Sequence, residues 1–136
     1  MIEGIGIDLV SIRKIKKALH SHGERFYSRV FSEKERNVIE KIKCRNELKA
    51  MQKAAGYFAV KEAFLKSIGA GIFSLPLNKI ATSNEESGQP LINIDEDTAY
   101  VINQKFKKAL FSIKVSITHE NDFACAIVVI QSLNKK

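Results

Sequence analysis

Two acidic residues, Asp8 and Glu62, lie in surroundings where a carboxylate needs a partner. Asp8 follows Gly4 and Gly6 at alternate positions of a short apolar segment. This alternation predicts a strand with the glycines and Asp8 on one face and the aliphatic side chains on the other. A strand face with two glycines lets another group approach the backbone closely. Taken alone, the same residues also fit a bulge and a turn or cap residue.

Glu62 lies within the segment FAVKEAFLK, which has the periodicity of a helix. One stripe of that helix carries four residues: Phe58, Glu62, Leu65 and Lys66. A carboxylate on an apolar stripe has to be paired, protonated or bound to a metal ion. Lys66 could simply pair with Glu62 at the surface, and Lys61 points about 100° away, where it could be solvated.

Two other segments could contribute to a ligand site. Gly69 is explained as the end of the helix, whereas Gly71 would allow backbone N–H groups to turn toward a phosphate. In the segment VSITH the alternation places Ser116 away from the core and His119 at the strand end. Ser116 and His119 could line a ligand site or be ordinary exposed residues of a strand.

Length and composition limit the class of protein. The 136 residues predict one domain over 1–136, and 45% apolar residues exclude a disordered chain. The longest apolar run, Phe123 to Ile130, is too short to span a bilayer. Cys44 and Cys125 stand outside any metal-binding pattern, which indicates a reducing compartment without structural zinc. We therefore expect a cytoplasmic protein with no membrane partner.

The net charge of +7 has several possible explanations. Such a charge attracts nucleic acid, anionic membranes, phosphorylated small molecules or acidic proteins, and it also favours solubility alone. Between Ile12 and Phe31 the only acid is Glu24, against six basic residues: Arg13, Lys14, Lys16, Lys17, Arg25 and Arg29.

Periodicity and capping signals predict an α+β fold with a mostly antiparallel sheet and a long central helix. The expected elements are a strand over 2–10, a helix capped by Ser11, a helix opened by the capping box of Ser32 and Glu35, the long helix over 47–68, a hairpin over 77–83 and 91–94, a helix that begins near Asp95 with Ile102 and Phe106 inward, and final strands that begin near Phe111 and Phe123.

Taken together and in order, these segments resemble the holo-acyl-carrier-protein synthases, the short branch of the 4′-phosphopantetheinyl transferases. The resemblance covers nearly the whole chain and rests on five motifs: GIGID at 4–8, FSEKE at 31–35, FAVKEAFLKSIGAG at 58–71, GQP at 88–90 and VSITH at 115–119. Each motif is weak by itself, and the ordered set is specific.

The resemblance implies that Asp8 and Glu62 bind Mg²⁺, which bridges the pyrophosphate of coenzyme A. A serine hydroxyl of apo acyl carrier protein then attacks the β-phosphate, which gives holo carrier protein and 3′,5′-ADP for fatty acid biosynthesis. Lys66 is the third catalytic candidate, and either Glu62 or a bound water takes the serine proton. The resemblance assigns eight residues to the cofactor site: Lys61, Lys66, Gly69, Gly71, Gly88, Pro90, Ser116 and His119.

The resemblance also implies two kinds of protein contact. Carrier proteins are acidic, so the docking residues would be Arg13, Lys14, Lys17, Arg25 and Arg29, with Phe26 as an apolar anchor. Short members of the family form homotrimers with the cofactor site at the subunit boundary. One position departs from the family: Tyr57 stands where arginine is usual, so a neighbour such as Lys53 has to contact phosphate or binding is weaker.

Two alternatives compete with this interpretation. A small basic nucleic-acid-binding domain would explain the charge, but its aromatic residues do not interleave with basic ones and acids would repel phosphate. A catalytically idle scaffold of the same fold is the second alternative. We expect no nucleic-acid partner.

Overall fold

The computed structural model describes residues 1–72, 74–108 and 110–133. The chain forms β1 (Ile2–Ser11), α1 (Ile12–Val30), α2 (Glu33–Lys43), α3 (Glu47–Ser67), β2 (Ile80–Asn84), β3 (Pro90–Ile94), α4 (Glu96–Phe106), β4 (Phe111–Glu120) and β5 (Phe123–Ser132). No helix in these ranges is long and apolar enough to cross a membrane.

The helices begin where the sequence signals predict. Ser11 accepts a hydrogen bond from the backbone N–H of Lys14, which caps α1. Ser32 and Glu35 form a reciprocal capping box at the start of α2. Gly23 has a φ of 61° and introduces a kink into α1, which divides the basic residues of this helix between two segments.

All strand pairs are antiparallel, and the strands form two separate sheets. The first sheet has the order β1-β5-β4, and the second is the hairpin of β2 and β3. The predicted α+β fold with antiparallel sheet and a long central helix is confirmed. The predicted start of the hairpin is wrong, because Leu77–Lys79 form a 3₁₀ turn before β2 begins at Ile80.

Helix α3 packs across the inner face of the three-stranded sheet. Gly4 and Gly6 face this helix, since a Cβ on either would overlap a backbone carbonyl oxygen of Ser67 or Ala63. The close approach predicted from the two glycines is therefore an approach of helix backbone to strand backbone. It brings α3 directly beside Asp8.

The opposite face of β1 is apolar and exposed. Ile5, Ile7 and Leu9 are 62%, 59% and 64% exposed in the single chain. Their cross-strand partners on β5 are Val129, Ile127 and Cys125, which extend the same face. The alternation predicted along β1 is confirmed, and its aliphatic side chains face outward, away from α3.

Candidate cofactor and metal site

The structure brings three of the predicted site residues together beside β1. Lys66 Nζ lies 2.8 Å from Asp8 Oδ1 and donates a hydrogen bond to the carbonyl oxygen of Ile7 over 3.0 Å. The Lys66 side chain is 53% exposed, whereas that of Asp8 is only 13% exposed. Lys66 therefore pairs with Asp8 and not with Glu62, the partner considered from helical spacing.

Glu62 is left with an unsatisfied carboxylate oxygen. Its Oε1 is buried and accepts no hydrogen bond from the part of the chain that the structure describes. Burial raises the pKa of Glu62, the charge of Asp8 raises it further, and the charge of Lys66 opposes both. We call Asp8 and Glu62 the acid pair: two carboxylates that repel each other and share one cation, Lys66.

The acid pair suits a divalent cation with oxygen ligands. A buried carboxylate oxygen without a partner is costly, and a bound cation would satisfy it. The described residues contain no group of three or more His, Cys, Asp or Glu side chains that could hold a metal alone. Two carboxylates fit Mg²⁺, which usually takes one or two carboxylates together with substrate phosphates and water.

The predicted role of Lys61 as a phosphate contact is wrong in this structure, and Lys61 is not solvated either. The side chain is fully buried, and its Nζ donates to Glu35 Oε1 over 2.7 Å, to Leu77 O over 3.0 Å and to Ile80 O. An ammonium has three donors, and all three are used inside the protein. Burial lowers the pKa of Lys61, and the charge of Glu35 opposes that shift.

A small cavity on the other side of α3 contains three more of the predicted residues. We call this space of about 160 Å³ the hairpin cavity. Its lining comes from α3 (Lys53, Gly56 and Tyr57), from the β2–β3 hairpin (Thr82, Asn84, Gly88 and Pro90) and from β4 (Ile117 and His119). Gly88, Pro90 and His119 are thus assembled from segments far apart in sequence.

His119 is held against α3 by a specific contact. Its Nε2 lies 2.9 Å from the carbonyl oxygen of Gln52. Because a carbonyl can only accept, Nε2 carries the proton in this contact. A Cβ on Gly56 would lie 2.9 Å from the same nitrogen, so glycine at this position makes room for the ring.

Lys53 gives the hairpin cavity a cation, which lies beside the ring of Tyr57. Lys53 Nζ lies 5.2 Å from the centroid of the Tyr57 ring. Burial raises the pKa of Tyr57 to about 12, and the charge of Glu35 adds to that effect, so the hydroxyl stays neutral. The lysine considered as a substitute for the usual arginine therefore lines the same cavity as Tyr57.

Besides Lys61 and Lys66, three predicted cofactor residues lie outside the hairpin cavity. Ser116 is exposed on the outer face of β4, in register with Ile127 of β5. Gly69 has a φ of 65° at the end of α3, and a Cβ built at Gly71 would meet no atom of the described residues within 4 Å. These positions are accessible in the single chain, but the structure does not bring them into the cavity with His119.

The acid pair and the hairpin cavity lie on opposite flanks of α3. Glu62 and Tyr57 are five residues apart, which separates their side chains by about 140° around the helix axis. Gly56 and Ala63, between these flanks, face the sheet through His119 and Gly6 respectively. A ligand on one chain alone would have to cross the helix to touch both.

A larger cavity of about 240 Å³ lies between α1, α2 and α3. Leu19, Tyr27, Ile39 and Met51 contribute to its lining, and none of the predicted site residues is among its wall residues. Size alone therefore does not identify the site here.

The predicted docking residues lie along α1. Arg13, Lys14, Lys17, Arg25 and Arg29 are exposed. Phe26 is half-buried and packs against the core, with its ring 5.8 Å from that of His22. Only part of Phe26 is available as an apolar anchor.

Sequence reasoning missed Thr82 and Asn84 of the cavity wall and the partner of Lys61. The sequence does indicate that Lys61 has a buried partner. Its neighbours on the helix include Val60 and Ala63, and a lysine on such an apolar helix has to pair with a buried acid. Which acid it finds depends on tertiary packing.

The chain is similar in sequence to proteins of a known family. Residues 4–128 match the sequence model of the 4′-phosphopantetheinyl transferase superfamily. A holo-[acyl-carrier-protein] synthase of Clostridium tetani is 37% identical, with 96% of this chain and 97% of the relative covered. A Bordetella pertussis holo-[acyl-carrier-protein] synthase is 35% identical, with 96% of this chain and 83% of that protein covered.

Solved structures show the same relationship. The holo-(acyl-carrier-protein) synthase of Bacillus anthracis in complex with CoA (3′,5′-ADP) superposes with a TM-score of 0.78 at 30% identity, covering 98% and 99% of the two chains. The Helicobacter pylori holo-[acyl-carrier-protein] synthase in complex with coenzyme A gives 0.71 at 31% identity, covering 93% of this chain and 99% of the other. The chain therefore belongs to the 4′-phosphopantetheinyl transferase superfamily and, within it, to the family of the holo-[acyl-carrier-protein] synthases.

Proposed function

We propose that this chain transfers 4′-phosphopantetheine from coenzyme A to a serine hydroxyl of an apo acyl carrier protein, with Mg²⁺ held by Asp8 and Glu62. The observation that carries the proposal is the buried, unpartnered Glu62 oxygen beside the Asp8–Lys66 pair. Relatives named as holo-[acyl-carrier-protein] synthases and a neighbour bound to coenzyme A support the substrates.

The reaction exchanges the phosphoanhydride bond of the coenzyme A pyrophosphate for a phosphoester bond to serine. The serine oxygen bonds to the β-phosphorus of coenzyme A, and the bond to the leaving 3′,5′-ADP breaks. Mg²⁺ supplies neutralisation of the negative charge on the phosphates and on the leaving group.

The residues of the acid pair contribute charge and a proton acceptor. Lys66 places an ammonium beside the carboxylates, where it also attracts phosphate oxygens. The open carboxylate oxygen of Glu62 has a lone pair that can take a proton or a cation. Glu62 or a bound water accepts the serine proton.

The hairpin cavity supplies the second part of the cofactor site. Lys53 provides a cation for phosphate, and His119 provides a fixed imidazole whose Nε2 is already occupied by Gln52. Pro90 and Tyr57 offer apolar surface of the kind that packs against a purine ring. We assign the adenosine bisphosphate end of coenzyme A to this cavity.

The active assembly is a homotrimer in this proposal. The acid pair and the hairpin cavity lie on opposite flanks of α3, so a cofactor that contacts both has to lie between two copies. The exposed apolar face that contains Ile5, Ile7 and Leu9 supports such an association, because large apolar patches mark interfaces.

The basic face of α1 is the docking surface for the carrier protein. The exposed basic side chains of this helix would attract an acidic partner and make association sensitive to salt. Supply of holo carrier protein for fatty acid biosynthesis in the cytoplasm is the physiological role that follows.

The intact mass of a carrier protein tests the proposal. Apo acyl carrier protein is incubated with this chain, coenzyme A and Mg²⁺, beside a chelator control. We expect a metal-dependent gain of one phosphopantetheine, which Asp8→Asn abolishes and the exposed control Asp97→Asn retains. No gain with several carrier proteins, from folded protein that binds coenzyme A, would contradict transfer and favour a scaffold.

A further inference from the structure

Lys61 and Glu35 form a fully buried ion pair outside the acid pair, and we call them the buried pair. Both side chains are 0% exposed, with Lys61 Nζ 2.7 Å from Glu35 Oε1. The same ammonium donates to the carbonyl oxygens of Leu77 and Ile80. Lys61 therefore holds the 3₁₀ turn and the first residue of β2 as well as its acid.

Glu35 makes complementary contacts with the same region. Its Oε1 accepts from the backbone N–H of Ser32 over 2.9 Å, and its Oε2 accepts from the backbone N–H of Thr82 over 3.2 Å. The buried pair thus fixes three backbone groups of the segment that leads into the hairpin, those of Leu77, Ile80 and Thr82. It joins this segment to α2 and α3.

Thr82 connects the buried pair with the hairpin cavity. The residue is 5% exposed and lines the cavity, while its backbone N–H is held by Glu35. Its hydroxyl oxygen is buried and has no hydrogen-bond partner among the residues that the structure describes. Because Thr82 lines the cavity, a polar ligand bound there would be close to this unpartnered hydroxyl and could satisfy it.

We propose that the buried pair positions β2 so that Thr82 presents its hydroxyl to the ligand in the hairpin cavity. Thr82 is then a cofactor-binding residue, and Lys61 and Glu35 are positioning residues that act through it. The ligand class is the ribose, purine or phosphate of an adenosine bisphosphate, and this assignment rests on the proposed function.

The chemistry of the buried pair favours positioning over stability alone. Apolar residues of similar volume often replace a buried ion pair without loss of stability, so burial alone does not require the charges. Directional bonds to three backbone groups of one segment are something that apolar side chains cannot supply. The wall of the hairpin cavity opposite Lys53 and Tyr57 is the part of the molecule that those bonds locate.

The first test removes the hydroxyl and leaves the shape and the backbone bond. Thr82→Val is nearly isosteric and keeps the N–H that Glu35 holds. We expect the KM for coenzyme A to rise about tenfold, as for a lost polar contact to a ligand, with kcat and the KM for carrier protein unchanged. Ser83→Ala on the opposite face of the same strand is the control and should leave all three constants unchanged.

The second test disturbs the position and leaves the hydroxyl. In Glu35→Gln one amide orientation turns an NH₂ group against the Thr82 N–H, and the other turns it against Lys61. We expect the KM for coenzyme A and the inhibition constant of 3′,5′-ADP to rise together by about tenfold or more, because small displacements of positioning groups have large effects. The change in kcat should stay small.

A destabilised control separates positioning from general loss of structure. Ile102→Val, in the buried face of α4 and away from the cavity, lowers stability without moving β2 and should leave the KM for coenzyme A unchanged. If Glu35→Gln does not fold, Thr82→Val decides the matter. An unchanged KM in Thr82→Val would overturn the proposal, whereas a wild-type chain that neither binds coenzyme A nor transfers would overturn the proposed function itself.

Discussion

Lys61 and Glu62 are adjacent in sequence and belong to two opposite kinds of charged site. Lys61 lies in the buried pair, where the ammonium donates to three acceptors and Glu35 is fully paired. Glu62 lies in the acid pair, where one buried carboxylate oxygen has no partner among the described residues and the nearby cation, Lys66, bonds to Asp8. One step along α3 turns the side chain by about 100° into a different environment.

The comparison teaches how to separate charges that hold a fold from charges that await a ligand. A buried charge with complete hydrogen bonding is satisfied by the protein, so its loss affects stability and position. A carboxylate with an open lone pair beside a second carboxylate is incompletely satisfied, so its loss affects ligand binding. Substitutions in the buried pair should therefore reduce stability and displace the backbone, whereas substitutions in the acid pair should reduce ligand binding.

The largest expected effect concerns activity at the acid pair. Glu62→Gln removes the charge and keeps the shape, so the fold should be retained. We expect kcat/KM for transfer to fall by on the order of 10²–10³ or more, the scale for loss of a group that stabilises transition-state charge. Steady-state rates followed by carrier-protein mass measure it, with Glu96→Gln on α4 as the matched control. Full activity in Glu62→Gln would remove the distinction between the two sites.

The second prediction concerns stability and compares two lysines. Lys61→Met leaves Glu35 charged and unpaired in the core, which should cost about 3–5 kcal/mol of unfolding free energy. Lys66→Met removes a pair in which the lysine is half-exposed and Asp8 is mostly buried, which should cost less, about 1 kcal/mol. Urea denaturation of both variants measures the difference. Equal losses would show that exposure does not distinguish these two ion pairs.

The third prediction concerns the contact that brings Asp8 to Glu62. In Gly6→Ala the new Cβ would overlap the Ala63 carbonyl oxygen and lie 2.7 Å from Ser67 N, so β1 has to move away from α3. We expect a loss of about 1–3 kcal/mol, as for overpacking, together with reduced activity. Thermal unfolding and transfer assays measure both quantities.

Gly71→Ala is the matched control for that substitution. No atom of the residues that the structure describes lies within 4 Å of a Cβ built at Gly71, so the stability change should stay within about 0.5 kcal/mol. A large loss at Gly71, or none at Gly6, would contradict the account of the helix–strand contact.

The smallest effect is a pH dependence of stability in the metal-free protein. The pKa of Glu62 is raised above its ordinary value of 4.5, so the protonated form is favoured in the folded state. The resulting stability is present below pH 4.5 and is lost as the pH rises through the higher folded-state pKa.

The melting temperature of the metal-free wild type should fall as the pH rises from 4.5 through the folded-state pKa of Glu62. The fall should be smaller in Glu62→Gln. Mg²⁺ together with coenzyme A should offset the loss, since a bound cation favours the ionised carboxylate. An identical slope in both proteins would assign the effect to another group.

Local sequence signals predicted the elements and the polar face of β1. Period-two alternation identified the bare face with Asp8, and helical spacing located Glu62 and Lys66 one turn apart on α3. The structure joins these residues because the glycines admit the helix backbone. Short-range periodicity suffices when the contact depends on small residues at known positions.

Long-range partners were not predictable in the same way. The resemblance assigns Lys61 to phosphate, whereas helical periodicity gives only a direction for its side chain, and its partner Glu35 is 26 residues away on another helix. Ser116 was assigned to the cofactor site although its strand face points outward. The partner of such a side chain depends on how helices and sheets pack, and the periodicity of the sequence does not specify that packing.

The most direct test is a calorimetric titration of coenzyme A into the wild type, Glu62→Gln and Thr82→Val, each with Mg²⁺ and with chelator. We predict that Mg²⁺ strengthens binding to the wild type and to Thr82→Val by the same factor. In Glu62→Gln that strengthening should be absent. Equal strengthening by Mg²⁺ in Glu62→Gln would contradict the assignment of Glu62 as a metal ligand and the contrast drawn between the two charged sites.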